Sequence, residues 1–258
     1  MQSLANEIKS WLIEAGEIIK RRQENYLTVT EKTNRKDLVT NMDKQIQGFL
    51  IEKIRHIDPT ARILAEEDGR DRLEDFAHGR VYVIDPIDGT MNFVMESENF
   101  CIMLAVYEEG IGKLGFIYDV MRSELYWGGQ NMGVFKENEQ LEPPVNKNLS
   151  EGLLGINAYM YGHDAFNART IGDQSIGIRV TGCAGLELIA LLKGNRIGYL
   201  SKLSPWDYAA GAVLLNEFSM KYSNFEGGSL AFHGREFFVA ATANAYKDIM
   251  EMLDYVSD

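Results

Sequence analysis

Cysteine, histidine and positive charge are all scarce in this 258-residue chain, and each shortage excludes something. The two cysteines, Cys101 and Cys183, form neither a disulfide framework nor a C-x-x-C pair. Each sits in an apolar segment and reads as a buried, reduced thiol of a reducing compartment. The four histidines, His56, His78, His163 and His233, are scattered without zinc spacing. No apolar run is long enough to span a bilayer. The opening "MQSLANEIKSWLIEAGEIIKRR" is charged and helix-patterned and lacks the uninterrupted apolar core of a signal peptide, so a cytoplasmic protein is expected. Lysine and arginine total 26 against 38 acids, a formal charge of -12. That deficit argues against nucleic acid or an anionic membrane as partner. An anionic substrate would need a local source of positive charge.

What is present is an ordinary globular composition, 45% hydrophobic, long enough for a substantial core. Ile8, Leu12, Ala15 and Ile19 recur at helical spacing, as do Ile46, Leu50 and Ile54 in a second helix ended by Asp58-Pro59. Residues 26–38 are polar without a period and read as a loop. "ARILA" and "RVYVID" read as strands, and "FCIMLAVYEEG", "KLGFIYD" and "ELYWGGQ" as consecutive antiparallel strands. The polar, proline-bearing "KENEQLEPPVNKNLS" is the best boundary, dividing an N-terminal half, 1–140, from a C-terminal half, 141–258. After it, strands and helices alternate, with helices expected at "GLELIALLKGN" and from Ser204 onward. The fold class is a layered α+β chain.

Acidic residues gather where these elements end. Asp43 starts the second helix, Glu66 and Glu67 follow "RILA", Asp85 and Asp88 close "VYVI", and Asp207 lies in "SPWDYAAG". Taken singly, most have a structural explanation. Thr40 with Asp43, and Ser204 with Asp207, resemble capping boxes, the latter with Pro205 at the first helical position. Glu66-Glu67 resembles a solvated turn, and Asp88-Gly89 is a common turn dipeptide. Asp85 is different, because it directly follows four apolar residues, where a charge is costly unless compensated. On the tight turn made by Pro86, Asp85 and Asp88 can converge on one point, and a divalent cation would offset their repulsion. Oxygen ligands without His or Cys favour Mg²⁺ or a similar hard ion. Gly89-Thr90-Met91-Asn92-Phe93 then reads as a helix start whose free amides would hold an anion.

Together "LVTNMD", "LAEED", "DPIDGTMNF" and "SPWDYAAG", in this order and spacing, resemble the inositol monophosphatase family of Mg²⁺-dependent, lithium-sensitive phosphatases. The resemblance runs from about residue 4 to the end. It implies a layered α/β/α/β/α sandwich, the sugar-phosphatase fold, commonly as a homodimer, with two or three Mg²⁺ per active site and a small phosphorylated substrate. Glu66, Asp85 and the Ile87 carbonyl would bind a first metal, and Asp85, Asp88 and Asp207 a second. Glu67 would support a third. Asp43, Glu66 and Thr90 would position or deprotonate the attacking water, Gly89 and Thr90 would hold the phosphate, and Lys32 falls where the family carries a mobile lysine-bearing loop.

The substrate end departs from the pattern. Met91 stands where many members have threonine. Gly182-Cys183-Ala184 replaces Gly-Thr-Ala of inositol-specific members, and Leu200 replaces a glutamate that holds ring hydroxyls. Losing such a partner relaxes discrimination; Lys202 is nearby and reads either as a simply exposed side chain or as a contact to another anionic group. The resemblance therefore implies inositol-1-phosphate hydrolysis with broad specificity, with NADP(H) 2′-phosphate or fructose-1,6-bisphosphate as the alternative. A catalytically idle binding or regulatory protein on this fold is the remote reading, opposed by the complete acidic set. "IDGTM" also resembles the D-x-D-G-T of haloacid-dehalogenase phosphatases, but Pro86 occupies the place of their nucleophile.

Overall fold

The computed structural model describes residues 1–22, 29–31, 38–67 and 76–254. Helices α1 (Gln2–Arg22) and α2 (Asn41–Ile57) pack together. Between them in the chain, β1 (Val29–Glu31) pairs with β2 (Leu38–Thr40). Part of the expected 26–38 loop is thus a ladder, too short to leave a period in the sequence. Lys32 lies outside the described residues.

Seven strands form the larger sheet in chain order: β3 (Arg62–Ala65), β4 (Arg80–Asp88), β5 (Cys101–Glu108), β6 (Ile111–Asp119), β7 (Glu124–Gly129), β8 (Gly133–Lys136) and β9 (Glu139–Gln140). The pair β3–β4 is parallel and the rest are antiparallel, including the expected β5–β6–β7 meander. The ladder between β4 and β5 breaks between Asp85 and Asp88, where Pro86 has no amide to donate. Short α3 (Thr90–Glu96) follows at once.

The second sheet has the order β11-β10-β12-β14-β13, from β10 (Leu153–Ile156), β11 (Gly177–Arg179), β12 (Gly198–Leu203), β13 (Lys221–Ser223) and β14 (Glu236–Ala241). Its helices are α4 (Ala158–Gly162), α5 (Ala168–Gln174), α6 (Ala184–Leu192), α7 (Pro205–Glu217) and α8 (Ala243–Met252). Among the described residues no helix is long and apolar enough to cross a membrane.

Strand alternation sorts the cores into layers. On β5, Ile102, Leu104 and Val106 pack with Ile8, Leu12, Ile46 and Leu50 of α1 and α2. Cys101, Met103, Ala105 and Tyr107 face the opposite way, towards α6 and α7. The second sheet covers the far side of those helices with Tyr199, Leu203, Phe238 and Ala240. Its outer face, Leu154, Leu200, Val239 and Ala241, packs on α4, α5 and α8. The order is therefore α/β/α/β/α. Helix α7, central in this stack, is buried nearly all round, as "AAGAVLL" requires. Its close approach to β6 depends on glycine. A Cβ at Gly112 would sit 2.6 Å from Val213 Cγ2, and one at Gly115 would run into the Ala210 carbonyl.

Two glycine substitutions should therefore act in opposite directions. Gly115→Ala must displace backbone, and we expect a loss of about 1–3 kcal/mol in urea unfolding. Gly48→Ala, on the exposed face of α2 with nothing near its Cβ, should gain about 0.5–1 kcal/mol. A Gly115→Ala protein of unchanged stability would refute the close packing of α7 on β6.

Candidate active site

Each acidic residue is delivered by the end of an element, and four of them are fixed through one carboxylate oxygen. Asp43 is the third residue of α2. Its Oδ2 accepts from the Thr40 amide (2.8 Å) and hydroxyl (2.5 Å), while Thr40 Oγ1 accepts from the Met42 and Asp43 amides. Asp207 repeats this arrangement in α7, its Oδ2 accepting from the Ser204 amide at 2.8 Å, with Pro205 at the helix start. Asp85 accepts from the Ile87 amide through Oδ1 at 3.1 Å. Asp88 Oδ2 accepts from the Gly185 amide (2.5 Å) and the Cys183 thiol (3.0 Å), with the Cys101 thiol at 3.5 Å. Capping and clustering are thus not alternatives: the carboxylates that cap α2 and α7 also belong to the cluster.

The carboxylates converge. Asp85, Asp88 and Asp207 each bring a carboxylate oxygen within 4.8 Å of the others. Thr90 Oγ1 lies 3.3 Å from Asp43 Oδ1 and 3.0 Å from the Ile87 carbonyl, joining Asp43 to the same turn. Glu66 follows β3, half-buried, its amide donating to the Ile84 carbonyl, and Glu67 is buried with its amide on Gln47 Oε1. Gly89 caps α3 in a left-handed conformation, φ +88°, and a Cβ there would lie 3.1 Å from Cys183 Cβ. Asn92 ties α3 to the approach to α6 by donating to the Asn99 and Thr181 carbonyls.

Among the described residues, none of Asp43, Asp85, Asp88 and Asp207 has a Lys, Arg or His within ion-pair distance. Burial raises all four above the usual range, and neighbouring carboxylates add to it for Asp43, Asp85 and Asp207. Burial and the Glu66 charge raise Asp43. Burial and then Glu66, Asp88, Asp207 and Asp43 raise Asp85 strongly. Asp207 is pushed to about 7 by burial and then by Asp88. For Asp88, burial outweighs the stabilising thiol and amide donors. The Arg235 charge lowers Asp207 only in part. An all-oxygen donor set, desolvated, convergent and with so little counter-charge fits a hard divalent cation.

A cavity of about 230 Å³ opens on this cluster. Asp88, Asp207, Thr181, Gly182, Cys183, Ala184, Ser201 and Lys202 are among its lining residues. Leu200 is not. It is fully buried in the outer core, because positions 199, 201 and 203 face the middle layer and 200 faces α4, α5 and α8. The expectation that Leu200 meets substrate is therefore corrected, and Ser201 takes the inward place on that strand. The sequence reading also missed Arg235, which lines the cavity one residue before β14 and donates to the Lys202 carbonyl at 2.9 Å. It missed the Gly185 amide and the Cys101 thiol on Asp88 too. Nothing in the sequence marks them, since the fold alone brings them from distant segments.

A two-sheet sandwich with an acidic cluster where strand ends meet helix starts is the layout of the sugar-phosphatase fold class. The chain belongs to the inositol monophosphatase family, whose model matches residues 1–255. Members of this family are Mg²⁺-dependent phosphoric monoester hydrolases. Inositol-1-monophosphatase of Bacillus subtilis is 39% identical over 253 residues, 94% of this chain and 93% of that protein. A staphylococcal IMPase-I solved with its products superposes with a TM-score of 0.91 at 27% identity, covering 98% of this chain and 96% of the other. An IMPase/NADP phosphatase solved with Mg²⁺ and phosphate gives 0.89 at 27% identity, covering 99% and 97%.

The raised carboxylates make a pH prediction. The folded state holds the Asp207 proton to about 7, whereas the unfolded chain releases it near 3.8, so between these values the folded state binds more protons. Stability of the metal-free protein should therefore fall as pH rises through that window. Asp207→Asn cannot ionise, so in EDTA its melting temperature relative to wild type should rise between pH 5 and pH 8. Mg²⁺ should reverse this by raising the wild-type melting temperature, more at pH 8 than at pH 5. A wild-type-to-variant difference independent of pH would contradict the buried, uncompensated cluster.

Proposed function

We propose that this protein hydrolyses small phosphate monoesters, inositol-1-phosphate foremost and with broad specificity, by direct attack of water at the acidic cluster. The observation that carries the reading is the convergence of Asp85, Asp88 and Asp207, with no ion pair to any of them among the described residues, beside the Asp43–Thr90 pair. Glu66, Asp85 and the Ile87 carbonyl would hold one Mg²⁺, Asp85, Asp88 and Asp207 a second, and Glu67 would support a third. The bound ions would supply the positive charge and the acidified water that phosphate ester hydrolysis needs. Asp43, Glu66 and Thr90 orient that water and take its proton. Burial raises the Asp43 carboxyl, making it a proton acceptor closer to neutrality than a surface carboxylate. Gly89 and Thr90, at the start of α3, present backbone amides to the phosphate. Cys183, Ala184 and Lys202 border the substrate. No side chain is needed as a covalent nucleophile.

The family resemblance extends this reading to a cytoplasmic homodimer sensitive to lithium. A second substrate reading rests on Arg235 and Lys202. Both line the cavity, and among the described residues neither has a carboxylate within 4.0 Å. In a chain of net charge -12, two cations beside the site that are not held in ion pairs favour substrates with a second anionic group, such as fructose-1,6-bisphosphate or NADP⁺.

Phosphate release with and without Mg²⁺ from inositol-1-phosphate, fructose-1,6-bisphosphate, NADP⁺ and adenosine 3′,5′-bisphosphate tests both readings. Activity should require Mg²⁺ and fall at least about a thousandfold in Asp88→Asn; full activity in that variant would refute the site. Arg235→Gln should lower kcat/KM about tenfold for the doubly anionic substrates and leave inositol-1-phosphate within about twofold. An equal loss on all substrates would place Arg235 outside substrate selection.

A further inference from the structure

One carboxylate of the acidic cluster also belongs to a second cluster of a different chemistry. Asp88 Oδ2 lies 3.0 Å from Cys183 Sγ and 3.5 Å from Cys101 Sγ, and the two sulfurs are 3.7 Å apart. The thiols come from β5 and from the start of α6, and no disulfide joins them. These separations have a specific meaning. Two thiolates on a tetrahedral zinc-class ion, each about 2.3 Å from the metal, lie about 3.8 Å apart, and a carboxylate oxygen lies about 3.5 Å from each. The triangle formed by the two sulfurs and the oxygen matches that shape on two sides and is shorter on the third.

Two further observations bear on the same point. Gly185 leaves room for the sulfurs, since a Cβ there would run into Cys101 Sγ and sit 2.9 Å from Met103 Sδ. Asp88 and Cys183 also line the open cavity, which gives an ion a route in and a fourth ligand from solvent or substrate.

We propose that Cys101, Cys183 and Asp88 form a binding site for a thiophilic divalent cation of the Zn²⁺ or Cd²⁺ class, and that its occupation inhibits the enzyme. Binding breaks two S–H bonds, releases two protons to solvent and forms two sulfur–metal bonds. Asp88 Oδ2 keeps the Gly185 amide and exchanges its thiol donors for the metal. The ion then shares Asp88 with the hard-ion cluster and competes for its charge. Soft ligands and the intrinsic affinity order both favour such an ion over Mg²⁺ at the sulfur pair.

The test is to titrate the full-length, reduced protein anaerobically with Cd²⁺ in excess Mg²⁺, following thiolate-to-cadmium charge-transfer absorption in the ultraviolet. The expected result is a band saturating at one equivalent, with affinity at least tenfold weaker in Cys101→Ser and in Cys183→Ser. Serine keeps the size and a donor to Asp88, and Cys101→Ala provides a second variant should either serine protein melt early. Absence of the band in wild type at a tenfold excess, or its survival unchanged in either variant, overturns the site. This readout needs no turnover and so stands apart from the phosphatase reading. In the activity arm, the Cd²⁺ concentration that halves phosphate release should rise at least tenfold in Cys101→Ser. Equal sensitivity of the two proteins would overturn the inhibitory role.

Discussion

Mutual repulsion among buried carboxylates is the constraint on which the rest of the site depends. Asp43, Asp85, Asp88 and Asp207 are brought together with no cation at ion-pair distance among the described residues; burial first raises their carboxyl groups, and the Arg235 charge offsets Asp207 only in part. The fold supplies only partial compensation. Helices α2, α3, α6 and α7 all begin at the cluster, with Asp43 and Asp207 in first turns. A helix start contributes roughly 0.3–1 kcal/mol to a nearby anion, whereas desolvating a single charge costs several kcal/mol. Backbone partial charges therefore cannot balance the cluster, and a divalent cation can. A bound divalent cation would offset part of that charge locally, in a chain whose net charge otherwise disfavours anionic partners.

The scaffold holds this unstable arrangement by giving each carboxylate a fixed hydrogen-bond donor as well as a place in the cluster. Asp43 and Asp207 use Oδ2 to close a capping box, so the same residue that starts a helix also charges the site. Removing either would cost a cap as well as a charge of the cluster, and the two losses are separable because an amide in its place can still accept from the backbone. Thr40 and Ser204 are accordingly part of the site's rigidity although neither faces the substrate. The kinked end of β4 works similarly: Pro86 interrupts the ladder, and the Ile87 amide freed from it fixes Asp85.

Much of this was legible in the sequence because it is local. Capping pairs, the apolar run into Asp85, the turn at Gly89 and the meander of β5 to β7 are decided within a few residues, and the motifs around them carry the family resemblance. What was not legible is tertiary. Leu200 was expected at the substrate end from its place in the motif, yet a side chain's face on β12 is fixed by the packing of both sheet faces, and 200 is an outward position. Arg235 reaches the cavity only because β14 pairs with β12, setting Glu236 opposite Leu203. Cys101 and Cys183 are 82 residues apart and meet because α6 starts beside the first residue of β5. Polar stretches such as 26–38 carry too little hydrophobic pattern to announce a three-residue ladder.

The donors chosen for Asp88 follow from the same electrostatic constraint. A lysine or arginine at the position of either thiol would neutralise the carboxylate and compete directly with a bound cation. An amide and two thiols instead fix the direction of Oδ2 while remaining neutral, with burial raising both thiols above their ordinary range and so keeping them protonated. Asp88 thereby stays oriented and its charge stays available. The cost of that solution is chemical rather than energetic. Sulfur is the softest donor a protein can place there, and two of them at 3.7 Å beside a hard-ion site leave selectivity between metals to geometry and supply. Serine or threonine at 183 would hold the carboxylate without that ambiguity.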